Sequence, residues 1–437
     1  MNRYERYKDS GIPWLGKVPE HWEVKRLRFT VNLNPVKSEL DIPEDTLVSF
    51  IPMEAVNFDK NLTLTEERNL DEVYKGYTYF KNGDVVLAKI TPCFENGKSA
   101  IAQNLTNGIA FGTTELHVLR SQDSINNHFL YYLIKSDSFM KIGESEMYGA
   151  GGQKRVPEEF IKNFLIALPP YYEQTAIAHY LDTKLGEIDA LIDKQQTLLE
   201  KLAEQRTAVI THAVTKGLNP AAPMKNSGME WLGDVPAHWE TWKITHAIDL
   251  IGSGTTPKSD NAEYYDGDIL WVTTSELREN FISDTKQKVS DSAIKEYSAL
   301  KIYPVNSVAM AMYGATIGRL GILEREATFN QACCVFGNSK ILHYKFLFYW
   351  LWHRRPILIS LSNGGGQPNL SQDDLRKLKI PIPSHEEQIN IAEYLDQETV
   401  KIDRLCETVN QTIGRLKEYR TALITQAVTG KIKVIDE

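Results

Sequence analysis

YEQTAIAHYLDTKLGEIDALIDKQQTLLEKLAEQRTAVITHAVTK (Tyr172–Lys216) and HEEQINIAEYLDQETVKIDRLCETVNQTIGRLKEYRTALITQAVT (His385–Thr429) are one pattern written twice. Gln174 and Gln388, Leu181 and Leu395, Arg206 and Arg420 each stand 214 positions apart (388 − 174, 395 − 181, 420 − 206). Within each copy the seam positions alternate three and four apart, the heptad spacing of a helix that packs lengthwise on another helix. The first seam runs through Leu185, Ile188, Ile192, Gln195, Leu199, Leu202, Arg206, Val209 and Ala213. The second runs through Thr399, Ile402, Cys406, Val409, Ile413, Leu416, Arg420, Leu423 and Ala427. Each stripe is apolar enough to need a partner, and each copy is the obvious partner of the other. Pro169 and Pro170 precede the first helix, and Gly217 with Pro220 close it. Ser384 with Glu387 predicts a capping box on the second, and Gly430 ends it. Two amphipathic helices packed in a globular core would be the plain alternative, but a constant offset favours a paired rod.

The repeat extends beyond the helices. SGIPWLGKVPEHWEVKRL (Ser10–Leu27) returns as SGMEWLGDVPAHWETWKI (Ser227–Ile244), now 217 positions on (231 − 14, 236 − 19, 239 − 22). FLYYLI from Phe129 answers FLFYWL from Phe346, and Gly-Gly-Gln ending at Gln153 answers the one ending at Gln367. The chain therefore reads domain, helix, domain, helix. The expected bounds are 1–168, 169–217, 218–382 and 383–431, with a tail over 432–437. Between the anchors the contents differ. Stretches 46–51, 83–90, 115–119, 269–274 and 308–312 read as strands, and 127–140 and 343–359 as aromatic-rich helices. The fold class expected is α+β, with two mixed α/β domains and two long helices.

Length and composition narrow the function classes. At 437 residues the chain suits two to four domains. It is 42% hydrophobic and 24% charged, ordinary for a water-exposed globular protein. No apolar run approaches the ~18 residues of a membrane span, and MNRYERYKDSG lacks the apolar core of a signal peptide. Cys93, Cys333, Cys334 and Cys406 include no C-x-x-C pair, so neither structural zinc nor a disulfide framework is expected. A cytoplasmic protein with no membrane contact fits these features. The net charge of −8 is unusual for a chain that grips DNA unaided, since neutralising phosphates supplies most non-specific affinity.

Several catalytic patterns fail at a decisive residue. Gly11 to Lys17 has the spacing of a phosphate loop, but Val18 stands where a magnesium-holding hydroxyl belongs. Leu168-Pro169-Pro170-Tyr171 resembles an amino-methyltransferase loop, yet Leu168 cannot accept a hydrogen bond from a target amine. Ile251-Gly252-Ser253-Gly254 does not open a helix as a cofactor loop must. His21 and His238, in the repeated W-L-G-x-V-P-x-H-W block, read as packing or hydrogen-bonding residues.

The positive signal is a set of polar loops in both interiors. In the first they carry Lys89, Thr91, Lys98, Tyr148, Gln153, Lys154 and Arg155. In the second they carry Thr255, Thr256, Lys258, Tyr313, Thr316, Arg319, Asn330, Gln331, Gln367 and Asn369. Gln, Asn, Arg and Lys read base edges in the major groove, and neighbouring glycines let backbone amides approach phosphate. Each loop alone is more often a surface turn; their recurrence in two domains favours DNA.

This arrangement resembles the specificity subunit of type I restriction-modification systems. The resemblance rests on the duplicated W-L-G-x-V-P-x-H-W block, on G-G-G-Q-P-N-L-S-Q-D-D-L-R-K-L-K-I-P-I-P before an E-E-Q helix, on G-D-I-L-W-V-T, and on the I-A-x-Y-L-D and R-T-A-x-I-T-x-A-V-T segments. The first half departs from it, with Lys154-Arg155-Val156 where the second has Pro368-Asn369-Leu370. The resemblance implies two target-recognition domains in pseudo-twofold relation, each reading half of a bipartite, asymmetric double-stranded DNA target. It implies an antiparallel helical spacer, two docked methyltransferase subunits, and motor or nuclease subunits joined through the complex. It further implies that this chain binds no cofactor and does no chemistry, with S-adenosylmethionine, ATP and magnesium held by the partners. A seam from Leu185 to Ala213 is about 42 Å long at ~1.5 Å per residue, roughly 12 base pairs of DNA. The rival readings are an adenine methyltransferase or fused restriction enzyme, and a coiled-coil adaptor that touches no DNA.

Overall fold

The computed structural model describes residues 3–57, 60–150, 152–360 and 369–434. The chain divides into two compact units, Met1–Gln196 with Asn410–Glu437, and Thr197–Val409. Each unit holds one α/β domain, the start of the helix that follows it and the end of the other long helix.

The long helices are Tyr171–Lys216, 46 residues, and His385–Val428, 44 residues. The first is rich in Ala, Leu, Glu, Gln and Lys and the second in Glu, Leu and Gln, residues that lose little side-chain freedom in a helix. In the first unit Leu185, Ile188 and Ile192 share a core with Leu423 and the half-buried Ile413 and Leu416. There Arg420 Nε lies 3.1 Å from Asp189 Oδ1. In the second unit Val209, Ile210 and Ala213 share a core with Ile391 and Leu395, and Arg206 pairs with Asp403. Early residues of one helix thus meet late residues of the other in each unit, so the pairing is antiparallel in both. The two ion pairs are themselves copies, 214 positions apart (403 − 189, 420 − 206). Leu202, Ile402 and Val409 are also buried, while Leu199 is half-buried. Burying a Leu or Ile side chain stabilises by about 1.5–3 kcal/mol, so this seam outweighs its ion pairs.

In the first domain one four-stranded sheet runs Glu67–Asn69, Leu47–Ile51, Ile109–Gly112, Thr78–Lys81. A second runs Val31–Leu33, Leu116–Ser121, Val85–Ala88, Ser99–Ile101. The second domain has a five-stranded sheet, Leu250–Gly252, Cys333–Gly337, Val308–Ala311, Leu320–Leu323, Asn280–Ile282. Beside it lies a three-stranded one, Lys288–Val289, Ile269–Val272, Ala327–Phe329. The W-L-G blocks close each domain: Glu23–Arg26 pairs with Leu165–Leu168, and Glu240–Lys243 with Lys379–Ile382. Trp22 and Trp239 from these blocks are wholly buried. This is the α+β class with two domains and long helices that the sequence led us to expect.

Two local expectations need correction. The stretch 127–140 is not one helix but two, Asn127–Ile134 and Asp137–Ser145, because Ser136 is extended and its hydroxyl caps Phe139 N. The capping box at Ser384 is half made. Ser384 Oγ accepts from Glu387 N at 3.2 Å, but the Glu387 carboxylate is taken by His238 Nε2 and Trp239 Nε1.

Candidate nucleic-acid interface

In the first domain the polar loops leave one end of the sheet containing Val85–Ala88. Ala88 pairs with Leu116, and Lys89 N donates to the Glu115 carbonyl at 2.9 Å. Beyond that point Ile90 bridges Arg155, Thr91 N donates to Lys154 O at 3.0 Å, and Arg155 also bridges Tyr148. Lys89, Thr91, Tyr148, Lys154 and Arg155 therefore form one cluster, with Gln153 beside Lys154, its N donating to Ala150 O at 3.2 Å. Tyr148 is 68% exposed, and Gln153 and Lys154 are exposed with it. Lys98 does something else: its Nζ donates to Met53 O at 2.9 Å and ties the loop's far end down. Arg155 is likewise committed, its Nε and Nη2 meeting the two Glu115 carboxylate oxygens at 2.9 and 2.7 Å. That fork holds the Glu115 carboxyl below the usual carboxylate range.

The second domain builds the same end from different side chains. Ala311 pairs with Cys333, and Met312 N donates to Ala332 O at 2.8 Å. Tyr313 bridges Asn369, and the turn carrying Thr316 closes with Arg319 N donating to Thr316 O at 3.0 Å. Arg319 is exposed and, among the described residues, in no ion pair. Thr255, Thr256 and Lys258 lie on the segment whose Gly254 N donates to Asn330 O at 3.3 Å. Thr256 Oγ1 donates to Gln331 Oε1 at 2.6 Å, and Lys258 N to the Tyr297 hydroxyl at 3.2 Å. The loop 330–332 thus joins both groups. Gln367 lies outside the described residues.

Sequence reading missed the latches that hold each domain to its helix. Gln174, wholly buried, donates to Ser124 O and Pro169 O at 2.9 Å and accepts from Asn126 N at 2.8 Å. Gln388 repeats this with Ile341 O and Pro383 O at 3.0 Å and His343 N at 2.7 Å. Asp182 accepts from Lys60 Nζ at 2.7 Å and from the Tyr132 hydroxyl; Asp396 accepts from Lys345 and from the Tyr349 hydroxyl at 2.8 Å. Although partial burial opposes it, His128, Lys60 and Tyr132 together hold the Asp182 carboxyl far below its ordinary range. Their only sequence signal was the repeat of E-Q and Y-L-D in both helices.

The chemistry on offer is recognition. Among the described residues no group of three or more His, Cys, Asp or Glu could hold a metal ion. No described helix is long and apolar enough to cross a membrane. Burial pushes the Cys334 thiol up to about 12, which keeps it from acting as a thiolate. What the loops present are amides, hydroxyls, a phenol and cations, the groups that meet base edges and phosphates.

A family model described as type I restriction modification DNA specificity domain matches residues 19–201 and 236–415. The chain is 34% identical over 289 residues to the type I restriction enzyme EcoAI specificity subunit of Escherichia coli, covering 65% of this chain and 47% of that one. It is 38% identical over 201 residues to the EcoEI specificity subunit of the same organism, 45% of this chain and 33% of that one. The chain thus spans half or less of the length of these two relatives. Against the MjaVIII specificity subunit of Methanocaldococcus jannaschii it is 24% identical over 443 residues, with 96% and 94% covered. Among solved structures, the fold resembles the HsdS subunit from Thermoanaerobacter tengcongensis, with a TM-score of 0.58, 18% identity and coverage of 94% and 98%. A chain solved in work on complex assembly of the type I R-M system gives 0.77 at 17% identity, with the same coverage. With both halves matched by the family model and two domains built to one plan, the chain belongs to the family of type I restriction modification DNA specificity domains.

Proposed function

We propose that the chain is the non-catalytic specificity subunit of a type I restriction-modification complex in the cytoplasm. Each domain, 1–168 and 218–382, reads one half of a bipartite, asymmetric double-stranded DNA target. The helical segments 169–217 and 383–431 set the gap and dock two methyltransferase subunits, through which motor or nuclease subunits join. S-adenosylmethionine, ATP and magnesium belong to those partners, whose basic surfaces offset the chain's charge of −8. One observation carries this reading: both domains send polar loops from the same end of equivalently paired strands, with different side chains in each. Two heads of one plan and unlike content suit two unlike half-sites. Footprinting the chain with its methyltransferase, on a target mapped by methylation-sensitive sequencing, should protect two short blocks flanking an unread gap. A single contiguous block, or no sequence preference, would refute it; methyl transfer by the purified chain alone would make it an enzyme.

A further inference from the structure

The two interiors have unlike sequences but share one strand register. In the first domain Gly112 pairs in parallel with Ile51, and Thr113 N donates to Ile51 O at 3.1 Å. In the second, Phe329 pairs in parallel with Val272, and Asn330 N donates to Val272 O at 3.0 Å. The next strands begin with Leu116 against Ala88 and Cys333 against Ala311. Both correspondences keep the offset of 217 (329 − 112, 333 − 116).

A loop fixed at both ends leaves Thr113, Thr114 and Glu115 in the first domain where the second has Asn330, Gln331 and Ala332. Its internal bond is copied too. Thr113 Oγ1 accepts from Glu115 N at 3.2 Å, and Asn330 Oδ1 accepts from Ala332 N at 3.1 Å. So does the bond to the neighbouring strand, Lys89 N to Glu115 O at 2.9 Å and Met312 N to Ala332 O at 2.8 Å. The first residue of each loop is half-buried and shapes the turn. The middle one, Thr114 or Gln331, is exposed at the tip.

We infer that Thr114 reads a base in the first half-site, as the structural counterpart of Gln331 in the second. This rests on the reading of both domains as DNA-recognition heads. The threonine side chain suits the task, since its hydroxyl donates or accepts at a base edge and its methyl packs on the thymine methyl. The Arg155 fork on Glu115 then has a role of its own. It is a positioning contact that steadies a loop whose counterpart, with Ala332 and Asn369 at the same places, has no ion pair there.

The test uses the complex with methyltransferase subunits and a duplex library varied singly at every position of the mapped target. Thr114 is exposed, so Thr114→Ala and Thr114→Gln should fold as the parent does. Thr114→Ala should lower discrimination about tenfold at one or two adjacent positions of one half-site, leaving the other half-site unchanged. Gln331→Ala should act in the opposite half-site. If Gln331→Ala or Arg319→Ala alters its half-site while both Thr114 variants keep every parental preference, or weaken all DNA equally, the inference is overturned and the proposed function stands. A parent complex with no bipartite preference would overturn the proposed function itself.

Discussion

Glu173 and Glu387 hold the same place in the two helices and share a histidine neighbour, His21 or His238, but differ in their second partner. Glu173 is wholly buried and takes the Tyr4 hydroxyl and His21 Nε2, the latter at 2.8 Å, while Trp22 Nε1 beside it has no partner. Glu387 is a quarter exposed and takes His238 Nε2 at 2.9 Å and Trp239 Nε1 at 3.0 Å. One residue further on, Gln174 and Gln388 make the same three bonds. The difference is in what they bind. The glutamines satisfy main-chain atoms, which any sequence supplies, so their role survives divergence. The glutamates bind side chains; the histidine is kept in both copies, but the second partner has been exchanged, Tyr4 in one and Trp239 in the other.

The most disruptive way to break this comparison is to remove a glutamine. Gln388→Leu orphans two carbonyls and one N–H at a buried site and should destabilise the second unit by about 3 kcal/mol. Gln174→Leu should cost the first unit the same, read by hydrogen exchange resolved along the chain. Unequal losses would mean that the latches are not equivalent. The tryptophans should behave unequally. Trp→Phe leaves a similar cavity at both sites, but Trp239→Phe also loses a bond to a carboxylate, whereas Trp22→Phe removes an orphaned donor. Trp239→Phe should therefore be worse by about 1–2 kcal/mol, and equal costs would show that the one exchanged partner of the glutamates carries no energetic difference.

The paired helices were legible because heptad spacing and duplication are local signals that survive in a single sequence. The W-L-G blocks were legible for the same reason. Strand positions could be read from β-rich runs, but not which strand pairs with which, since partners such as Ala88 and Leu116 are set by tertiary contacts. Arg155 looked like a free reader because Glu115, its partner, lies forty positions away (155 − 115). Thr114 is not legible in the sequence because Gly-Thr-Thr-Glu carries neither a basic residue nor a strong turn signal. Its meaning comes only from the strand register it shares with Gln331.

Protonation gives a smaller test, confined to one unit. His353 stands at the position of Ser136 in the other copy (353 − 136 = 217), with its Nδ1 2.9 Å from Thr211 Oγ1. Burial, aided by the neighbouring Arg354 charge, pushes its imidazole down to about 4. An unfolded histidine titrates near 6.5, so the neutral form's contribution is complete above that pH and is lost as pH falls towards 4. Between pH 7 and 5 the second unit should lose about 1 kcal/mol through this group, discounted for its partial exposure. His353→Gln should remove that slope. His117 in the first unit and His343 in the second are also held down by burial, so both units soften in acid. Only the second should respond to His353→Gln, and a response in the first would break the assignment.

The smallest effects belong to the copied ion pairs, Asp189 with Arg420 and Arg206 with Asp403. In each the aspartate is more than half exposed and the arginine more than a quarter, so water and salt screen both. Double-mutant cycles should give about 0.5 kcal/mol or less for either pair, falling further in ~1 M salt. The seam residues beside them bury far more, so the pairs' use is alignment: they favour one heptad register over a slide by one turn. Exchanging the charges within one pair, Arg206→Asp with Asp403→Arg, should keep stability and register, whereas Arg206→Asp alone sets two like charges opposite each other. If the single reversal left helix pairing and unfolding unchanged in low salt, even this aligning role would be gone, and the apolar seam would set the register by itself.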